Sequence, residues 1–497
     1  MTIIEKHKGK MIKKVSNTGV SKEEYNALTN QVAELNGQVN NLNNSLTNKE
    51  KEINSGKQLI ADAIDNETIT NNSTFEAMSN SINQIKENSN KIESVTSDWY
   101  KLLKFAGYNV NETDSMEDLY NTLNSHSICM ADVKQIACGE GSVFAVKNNG
   151  SLWVLGQNNY GQLGLGDTTN RTRFTQVTTN INNDVKEVIC GGLHTFIIKE
   201  DGTIWSCGYN YSGQLGLNTS GTSANKTTFT QVTTNISDIK QISCGYEHSL
   251  ILKNDGTVWG CGANTYYQLL DGTTTSRKVF TDTKLTDVKK ISCVYTNSST
   301  FVIKNDGSLW VGGWNTSYQL GIVTSQNYVE GPRQITTNIN YDVQDVFPGE
   351  DHAFLLKTNN TVWATGNNYG QLGNGQSGSS YRKDRFTQMT SGTSDTKEII
   401  CCSGNTFIIK NDGTLWATGS NSYGQLGLGT SSSVSSFTKV TTNVSDIKQI
   451  ALLEYSTFML KNDGTLWATG RNASYQLGLG DNVDRSVFTA GKGFFIE

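Results

Sequence analysis

KNDGTLW stands at 410–416 and again, unchanged, at 461–467. Upstream the same heptapeptide recurs with small changes: KTNNTVW (357–363), KNDGSLW (304–310), KNDGTVW (253–259), KEDGTIW (199–205) and KNNGSLW (147–153). Trp153, Trp205, Trp259, Trp310, Trp363, Trp416 and Trp467 therefore follow one another at steps of 52, 54, 51, 53, 53 and 51 residues. A near-constant period of this size marks a repeat architecture, in which one small unit is stacked on its neighbours.

Each copy places a short apolar run such as VFAV before an Asn-Gly or Asp-Gly pair and a run such as SLWVLG after it, a strong hairpin signal. The glycine supplies a positive φ; in the fifth unit Asn360 replaces it, the next-best residue there. A second signature follows each Trp, as in GQNNYGQLGLG (156–166), GYNYSGQLGLN (208–218) and GSNSYGQLGLG (419–429). All seven units keep an Asn two residues after a Gly (Asn158, Asn210, Asn264, Asn315, Asn368, Asn421, Asn472) and a Gln-Leu pair, from Gln162-Leu163 to Gln476-Leu477. The Trp is expected to carry a large aromatic inward from one strand face. A lone sheet of about fifty residues cannot bury that face, whereas seven side by side can, and a ring hides the sheet edges. Residues 131–497 are thus expected to form an all-β seven-bladed propeller of about 52 residues per blade. The last unit ends SVFTAGKGFFIE, parallel to FTQVTTNI after the first signature (Phe488, Phe174). FFIE, or the ICM before Ala131, is expected to complete a blade with strands from both ends of the domain.

These motifs resemble the regulator-of-chromosome-condensation repeat family, whose blade consensus includes DGxxWxxGxNxxGQLGxG. The resemblance covers about three-quarters of the chain. It implies the propeller fold and, for function, protein binding on one face of the ring. That family includes a guanine-nucleotide exchange factor, a photoreceptor, ubiquitin ligases and a bacterial β-lactamase inhibitor. The exchange factor acts through a protruding segment in one blade, and no such insertion is found here. Fold alone does not decide function.

The composition fits a polar repeat protein: 48 Gly, 9 Trp and 2 Pro in 497 residues, with 18 % charged residues against about 25 % in an average domain. It excludes collagen-like, proline-rich and highly charged disordered classes. No stretch of 18 apolar residues appears, so no membrane insertion is expected. The basic start, MTIIEKHKGKMIKK (residues 1–21 form this segment), lacks the apolar core of a secretory signal. The net charge is −5, of which −4 falls on residues 1–130 (13 basic, 17 acidic). Neither half carries the basic field of a nucleic-acid binder.

Residues 1–130 contain no Pro and read as helices. Tyr25, Leu28, Val32, Leu35, Val39, Leu42, Leu46 and Ile53 keep heptad spacing, interrupted by Lys49, over about four heptads. The remaining faces are Asn, Gln, Glu and Lys, so residues 22–56 are expected to form an oligomerising coiled coil through Leu28, Val32, Leu35, Val39, Leu42 and Leu46. Val at a with Leu at d leans toward two strands. Residues 57–130 are expected to form a small helical module. GKQLIADAI (56–64) and TFEAMSNSINQI (74–85) resemble helices that follow the fibre's coiled coil in tail proteins of phages of Gram-positive bacteria. That resemblance implies a trimer, favoured here over a dimer. DWYKLLKFAGYNV (98–110) and SMEDLYNTL (115–123) follow, with Trp99, Leu102, Leu103 and Phe105 as core.

Candidate chemistry is sparse. Cys138, Cys190, Cys244, Cys293 and Cys401 share one repeat slot, held by Pro348 and Leu452 in other units. The slot therefore asks for an apolar filler, and reduced structural thiols are expected. His194, His248 and His352 share another slot, held by Ser142 and Asn405 elsewhere, so a hydrogen-bonding structural role is expected rather than a metal site. Neither HExxH, GxSxG, a P-loop nor a Ca²⁺ loop occurs. Glu330 and Asp384 could pair as glycosidase carboxylates, but nothing in the sequence brings them together. No catalysis, metal or cofactor is expected. The loops GIVTSQNYVEGPR (321–333) and NGQSGSSYRKDR (374–385) depart most from the repeat. They and the end of the preceding strand carry Trp314, Tyr328, Glu330, Arg333, Tyr381, Arg382 and Arg385. Aromatic and Arg side chains on loops held by a rigid scaffold suit recognition, and Trp314, Tyr328, Arg333, Tyr381, Arg382 and Arg385 are the candidate ligand-binding residues.

Two function classes follow. One is a phage tail-associated structural protein, made in the bacterial cytoplasm and carried on the virion tail. Its N-terminus would dock other tail or baseplate proteins, and its propeller would contact a host cell-surface polysaccharide or protein. The other is an adaptor or inhibitor propeller, intracellular or at the cell surface, that grips a partner protein.

Overall fold

The computed structural model describes residues 132–233 and 236–490. The heptads with Leu28, Val32, Leu35, Val39, Leu42 and Leu46, the helical module at 57–130, and FFIE and ICM all lie outside the described residues.

Each repeat folds into a four-stranded antiparallel meander, and there are seven of them: 133–176, 185–231, 239–282, 288–335, 343–389, 396–439 and 447–490. In the first blade the strands are β1 (Val133–Gly139), β2 (Ser142–Lys147), β3 (Leu152–Gly156) and β4 (Arg171–Gln176). The KNDG turn joins the second and third strands. Gly150 N–H donates to Lys147 O at 2.9 Å and Lys147 N–H to Ser151 O at 3.0 Å, with Gly150 at φ 77°. The hairpin is therefore a tight turn closed by one left-handed residue, and Asn360 takes that conformation in the fifth blade at φ 62°. The preceding Asp or Asn carboxyl or amide oxygen accepts from the residue after the glycine, as Asp412 Oδ1 does from Thr414 N–H at 2.9 Å. Such a local bond fixes the turn.

The first strands of successive blades touch one another all the way round, the seventh against the first included, so they surround the axis and the fourth strands form the outer wall. The apolar core is divided into seven clusters, one at each seam between blades. Both faces of every sheet are covered, and each repeat Trp belongs to a seam cluster or packs against one. In the third strand Leu152, Val154 and Leu155 are fully buried on both sides of Trp153. The wholly buried aromatics are phenylalanines of the second and fourth strands, among them Phe144, Phe196, Phe229, Phe301, Phe354 and Phe386. The Trp instead lies at the turn end of its strand beneath the Lys of its own KNDG turn, at 4.2 to 5.5 Å from Nζ to ring centroid in all seven blades. Its indole N–H donates to the Ser or Thr two residues earlier, as Trp467 does to Thr465 Oγ1 at 3.0 Å.

Among the described residues the seventh sheet takes its four strands from 447–490 and the first from 133–176; FFIE and ICM, expected to complete a blade, lie outside the described residues. Closure rests on side chains: Gln449 accepts from Ile136 N–H at 3.0 Å and donates to Ile136 O at 2.7 Å. Gln135 zips blade 1 to blade 2, and Gln241 zips blade 3 to blade 4, in the same two-bond manner.

Candidate recognition face

The meander places the loops after every first and third strand on one face, and the KNDG turns and blade-to-blade links on the other. The long loops of the first face are locked by the GxNxxGQL signature. In each, the buried Asn Oδ1 accepts from the Leu N–H five residues on (four in the fifth blade), at 2.9 to 3.4 Å. The Gln Oε1 accepts from the N–H two residues before it, as Tyr160 N–H to Gln162 at 3.0 Å. Asp167–Arg171, Asp271–Arg277 and Asp481–Arg485 tie three of these loops further by ion pairs.

On these locked loops sit the tyrosines. Fifteen lie among the described residues, and fourteen of them fall on this face; Tyr341 is the exception. Tyr211, Tyr369 and Tyr381 are 56, 58 and 43 % exposed. Several are gathered across seams. Tyr160 and Tyr209 have centroids 4.8 Å apart, and Tyr209 stacks on Tyr211 at 6.2 Å and 9°. Tyr423 and Tyr455 meet edge-on at 5.2 Å, with Arg471 over both.

At the axial mouth of this face Tyr295 of the fourth blade crosses to the far side, donating to Leu452 O at 3.0 Å and lying 2.7 Å from Cys402 Sγ. Burial pushes its phenol well above the ordinary range. Glu140, Glu247, Glu350, Asp351 and Glu454 occupy the turns around it, and no ion pair among the described residues includes any of them. Burial and then the Glu454 charge raise the Glu140 carboxyl; burial, then its acidic neighbours, raise Glu350.

The sequence candidates divide. Trp314 meets Tyr266 edge-on at 4.7 Å, and Tyr328, its cross-strand partner, stacks on Tyr267 at 5.9 Å. Arg382 lies over Tyr318 at 4.6 Å, and Tyr381 ends the short turn Ser379–Tyr381 beside it in sequence. Arg333 and Arg385 are exposed on outermost strands, Tyr328–Ile335 and Lys383–Met389, as are Glu330 and Asp384. The tyrosine face was missed in the sequence, although Tyr160, Tyr369 and Tyr423 stand inside the GxNxxGQL signature and register with it.

The histidines staple seams. His194 Nε2 lies 2.8 Å from Ser249 Oγ, His248 Nε2 2.9 Å from Thr300 Oγ1 and His352 Nε2 2.9 Å from Thr406 Oγ1, each on the next blade. Each hydroxyl donates its proton back to a Gln carbonyl of the His blade, as Ser249 does to Gln214 O at 2.9 Å. The imidazole must therefore donate from Nε2. Burial holds all three at a pKa of about 3. The eight cysteines among the described residues are free. Burial raises the thiols, Cys402 to about 11 and Cys293 to about 12, so they are poor nucleophiles. Among the described residues no group of three or more His, Cys, Asp or Glu is placed to hold a metal ion.

A model of the Regulator of chromosome condensation (RCC1) repeat matches residues 149–198, 201–252, 306–356 and 412–460. A second model of the repeat matches 133–162, 185–214 and 239–268. The propeller carries RCC1 repeats. Among known proteins, the ultraviolet-B receptor UVR8 of Arabidopsis thaliana is 29 % identical over 264 residues, 52 % of this chain and 59 % of the receptor. The chain thus spans less than two thirds of that relative. The regulator of chromosome condensation of Homo sapiens is 27 % identical over 359 residues, 67 % of this chain and 83 % of its own. In solved structures, yeast RCC1 (Prp20), from its complex with Kap60, shares the fold at a TM-score of 0.60 and 19 % identity, over 68 % of this chain and 82 % of the other. The RCC1-repeat relatives thus include a photoreceptor and a regulator of chromosome condensation, and their names differ in function while the blade signature stays.

Proposed function

We propose that this RCC1-repeat propeller is a non-catalytic recognition head whose tyrosine-rich face meets a partner surface. The observation that carries the reading is the one-sided distribution of tyrosine on locked loops. Tyrosine supplies large contact area and a hydrogen-bonding tip at low entropic cost. In the fuller form of the proposal the chain is a phage tail-associated structural protein. Its N-terminal heptads trimerise and dock other tail or baseplate proteins, and the head contacts a host cell-surface polysaccharide. The motifs at 56–64 and 74–85 support this form, as does the polar composition of the head.

The test has two arms. Mass spectrometry of purified particles is expected to find the chain, and fluorescently labelled full-length protein is expected to decorate host cells. Trp314→Ala with Tyr381→Ala is expected to weaken that decoration. Absence from particles overturns the virion form; unchanged decoration by variants across the tyrosine face overturns the recognition face itself. A monodisperse monomer in light scattering overturns the oligomeric stalk.

A further inference from the structure

The tyrosine face handles cations in two different ways. On one side it supplies its own: Arg471 lies over Tyr423 at 5.2 Å and Tyr455 at 5.8 Å, and Arg382 lies over Tyr318. On the other side, where blades 1, 2 and 3 meet, Tyr160, Tyr209, Tyr211 and Tyr246 are grouped with Glu140 and Glu247. Tyr160 and Tyr209 stand 4.8 Å apart and Tyr209 and Tyr211 6.2 Å, and Glu247 is held beside them by Ser212, the neighbour of Tyr211 in sequence; burial, then the charges of Glu140 and Glu247, raise the Tyr246 phenol. The ring of Tyr246 lies over Gly192, where a Cβ would stand 2.6 Å from it. Among the described residues no Lys or Arg stacks on these four rings or pairs with either carboxylate. Glu247 accepts from Ser212 Oγ at 2.8 Å.

Resting on the reading that this face binds a surface polysaccharide, we propose that the Tyr160–Tyr209–Tyr211–Tyr246 cluster with Glu140 and Glu247 holds the ammonium group of an amino sugar. A cation over an aromatic face is attracted by the ring quadrupole, and a carboxylate beside the ring adds a charge-assisted hydrogen bond. The intramolecular Arg471 site shows the same face engaging a cation through a tyrosine pair. A sugar ring fits better than a peptide because the backbone here is already used. Glu140 N–H donates to Gly192 O at 3.0 Å, Gly192 N–H to Gly245 O at 3.2 Å and Tyr246 N–H to Asn297 O at 3.2 Å. An extended peptide needs such main-chain groups, whereas a pyranose is held by flat ring faces and side-chain acceptors. The parallel Tyr209 and Tyr211 rings supply such faces.

The experiment is calorimetric titration of the full chain, in mildly acidic buffer, with a glucosamine hexamer, its fully N-acetylated counterpart and hexalysine. The glucosamine hexamer is expected to bind at least about tenfold more tightly than the N-acetylated hexamer, which has the same rings without charge. Half-buried Glu247→Gln and exposed Tyr211→Ala are expected to weaken it by a similar factor with unchanged melting temperature, while Tyr341→Ala, exposed on the opposite face, leaves it unaltered. Equal binding of both hexamers overturns the ammonium site and leaves the polysaccharide reading standing. Binding of hexalysine alone overturns both, and binding of none of the three overturns the amino-sugar proposal.

Discussion

Leu270 should tolerate neither Gly nor Ala, and the reason lies across a blade seam. At six of the seven seams a Phe of the fourth strand packs on a Gly of the preceding blade's GQLG loop. A Cβ at Gly164 would stand 2.4 Å from Phe229, and at Gly478 2.9 Å from Phe174. The third blade reads YYQLL instead, and the Phe position of the fourth blade is Pro332, after Gly331. Leu270, fully buried at φ 59°, fills the space from the other side, its Cδ2 so placed that a Cβ at Gly331 would lie 2.8 Å away. Truncating a buried Leu to Ala costs about 2–5 kcal/mol. Leu270→Gly loses a further methyl, about 0.8 kcal/mol, and about 0.4–1 kcal/mol through the unfolded chain. It recovers about 1–2 kcal/mol because glycine carries no Cβ penalty in the left-handed region. The two variants should therefore lie within about 1 kcal/mol of each other. At about 2 °C per kcal/mol for a domain this large, each should melt about 4–10 °C lower by calorimetry. Wild-type melting for either variant, or a Gly variant worse than Ala by more than about 2 kcal/mol, would refute the account of reversed packing.

Three further outcomes follow from the seams. Gly164→Ala is expected to cost at least about 2 kcal/mol, because the new Cβ meets the Phe229 ring and the backbone is left-handed at φ 72°; a melting temperature equal to wild type would contradict it. Gln449→Leu leaves the N–H and C=O of buried Ile136 unpaired and should cost about 2–4 kcal/mol by denaturant titration, with early proteolysis at the seam of blades 7 and 1. The three seam histidines are neutral when folded, near pKa 3, and titrate near 6.5 when unfolded. Their contribution is complete above about pH 6.5 and falls on acidification by about 1.4 kcal/mol per pH unit for each, until pH nears the folded value. His194→Asn with His248→Asn and His352→Asn, the residue the sixth blade already uses at Asn405, should flatten the denaturant midpoint between pH 6 and about 4; an unchanged slope would count against the neutral staple.

Whatever repeats in register was legible in the sequence. KNDGTLW announces its own turn, and its period counts the blades, because turn chemistry is local and repetition needs no partner. The candidate loop residues were found by the opposite test, departure from the repeat, and that test singled out Trp314 and Tyr328 but also Arg333 and Arg385 on the outer wall. The rest depends on pairs far apart in the chain. Gln449 and Ile136 are 313 residues apart, and His194 and Ser249 are 55. No local pattern tells that a Gln on the innermost strand reads the backbone of the next blade. Alternation predicts which side chains share a face, but in a propeller both faces are buried, so a strand such as IWSCG leaves Trp205 half-buried only through its place at the turn end.

The same repeat explains why the tyrosines can work as a surface without a deep cleft. A shallow face binds well only if its side chains and loops lose little freedom on contact. Here the GxNxxGQL lock fixes each loop from within, by an Asn and a Gln that are both buried. Fold and site thus share residues but not constraints. Asn158 and Gln162 hold the loop, which leaves Tyr160 between them free to vary, and the sequence varies there: Tyr160, Ser212, Tyr266, Ser317, Tyr369, Tyr423 and Ser474 occupy that one slot. A slot so varied, on loops so uniformly held, is where specificity can change without cost to the ring. Exchanging Tyr160 for Ser, a residue three other blades already carry there, should therefore alter ligand binding and leave the melting temperature within about 1 °C, since a surface change away from packed features usually moves stability by less than about 0.5 kcal/mol. A loss of several degrees instead would mean that the tyrosine supports the loop, and the division between lock and reader would fall.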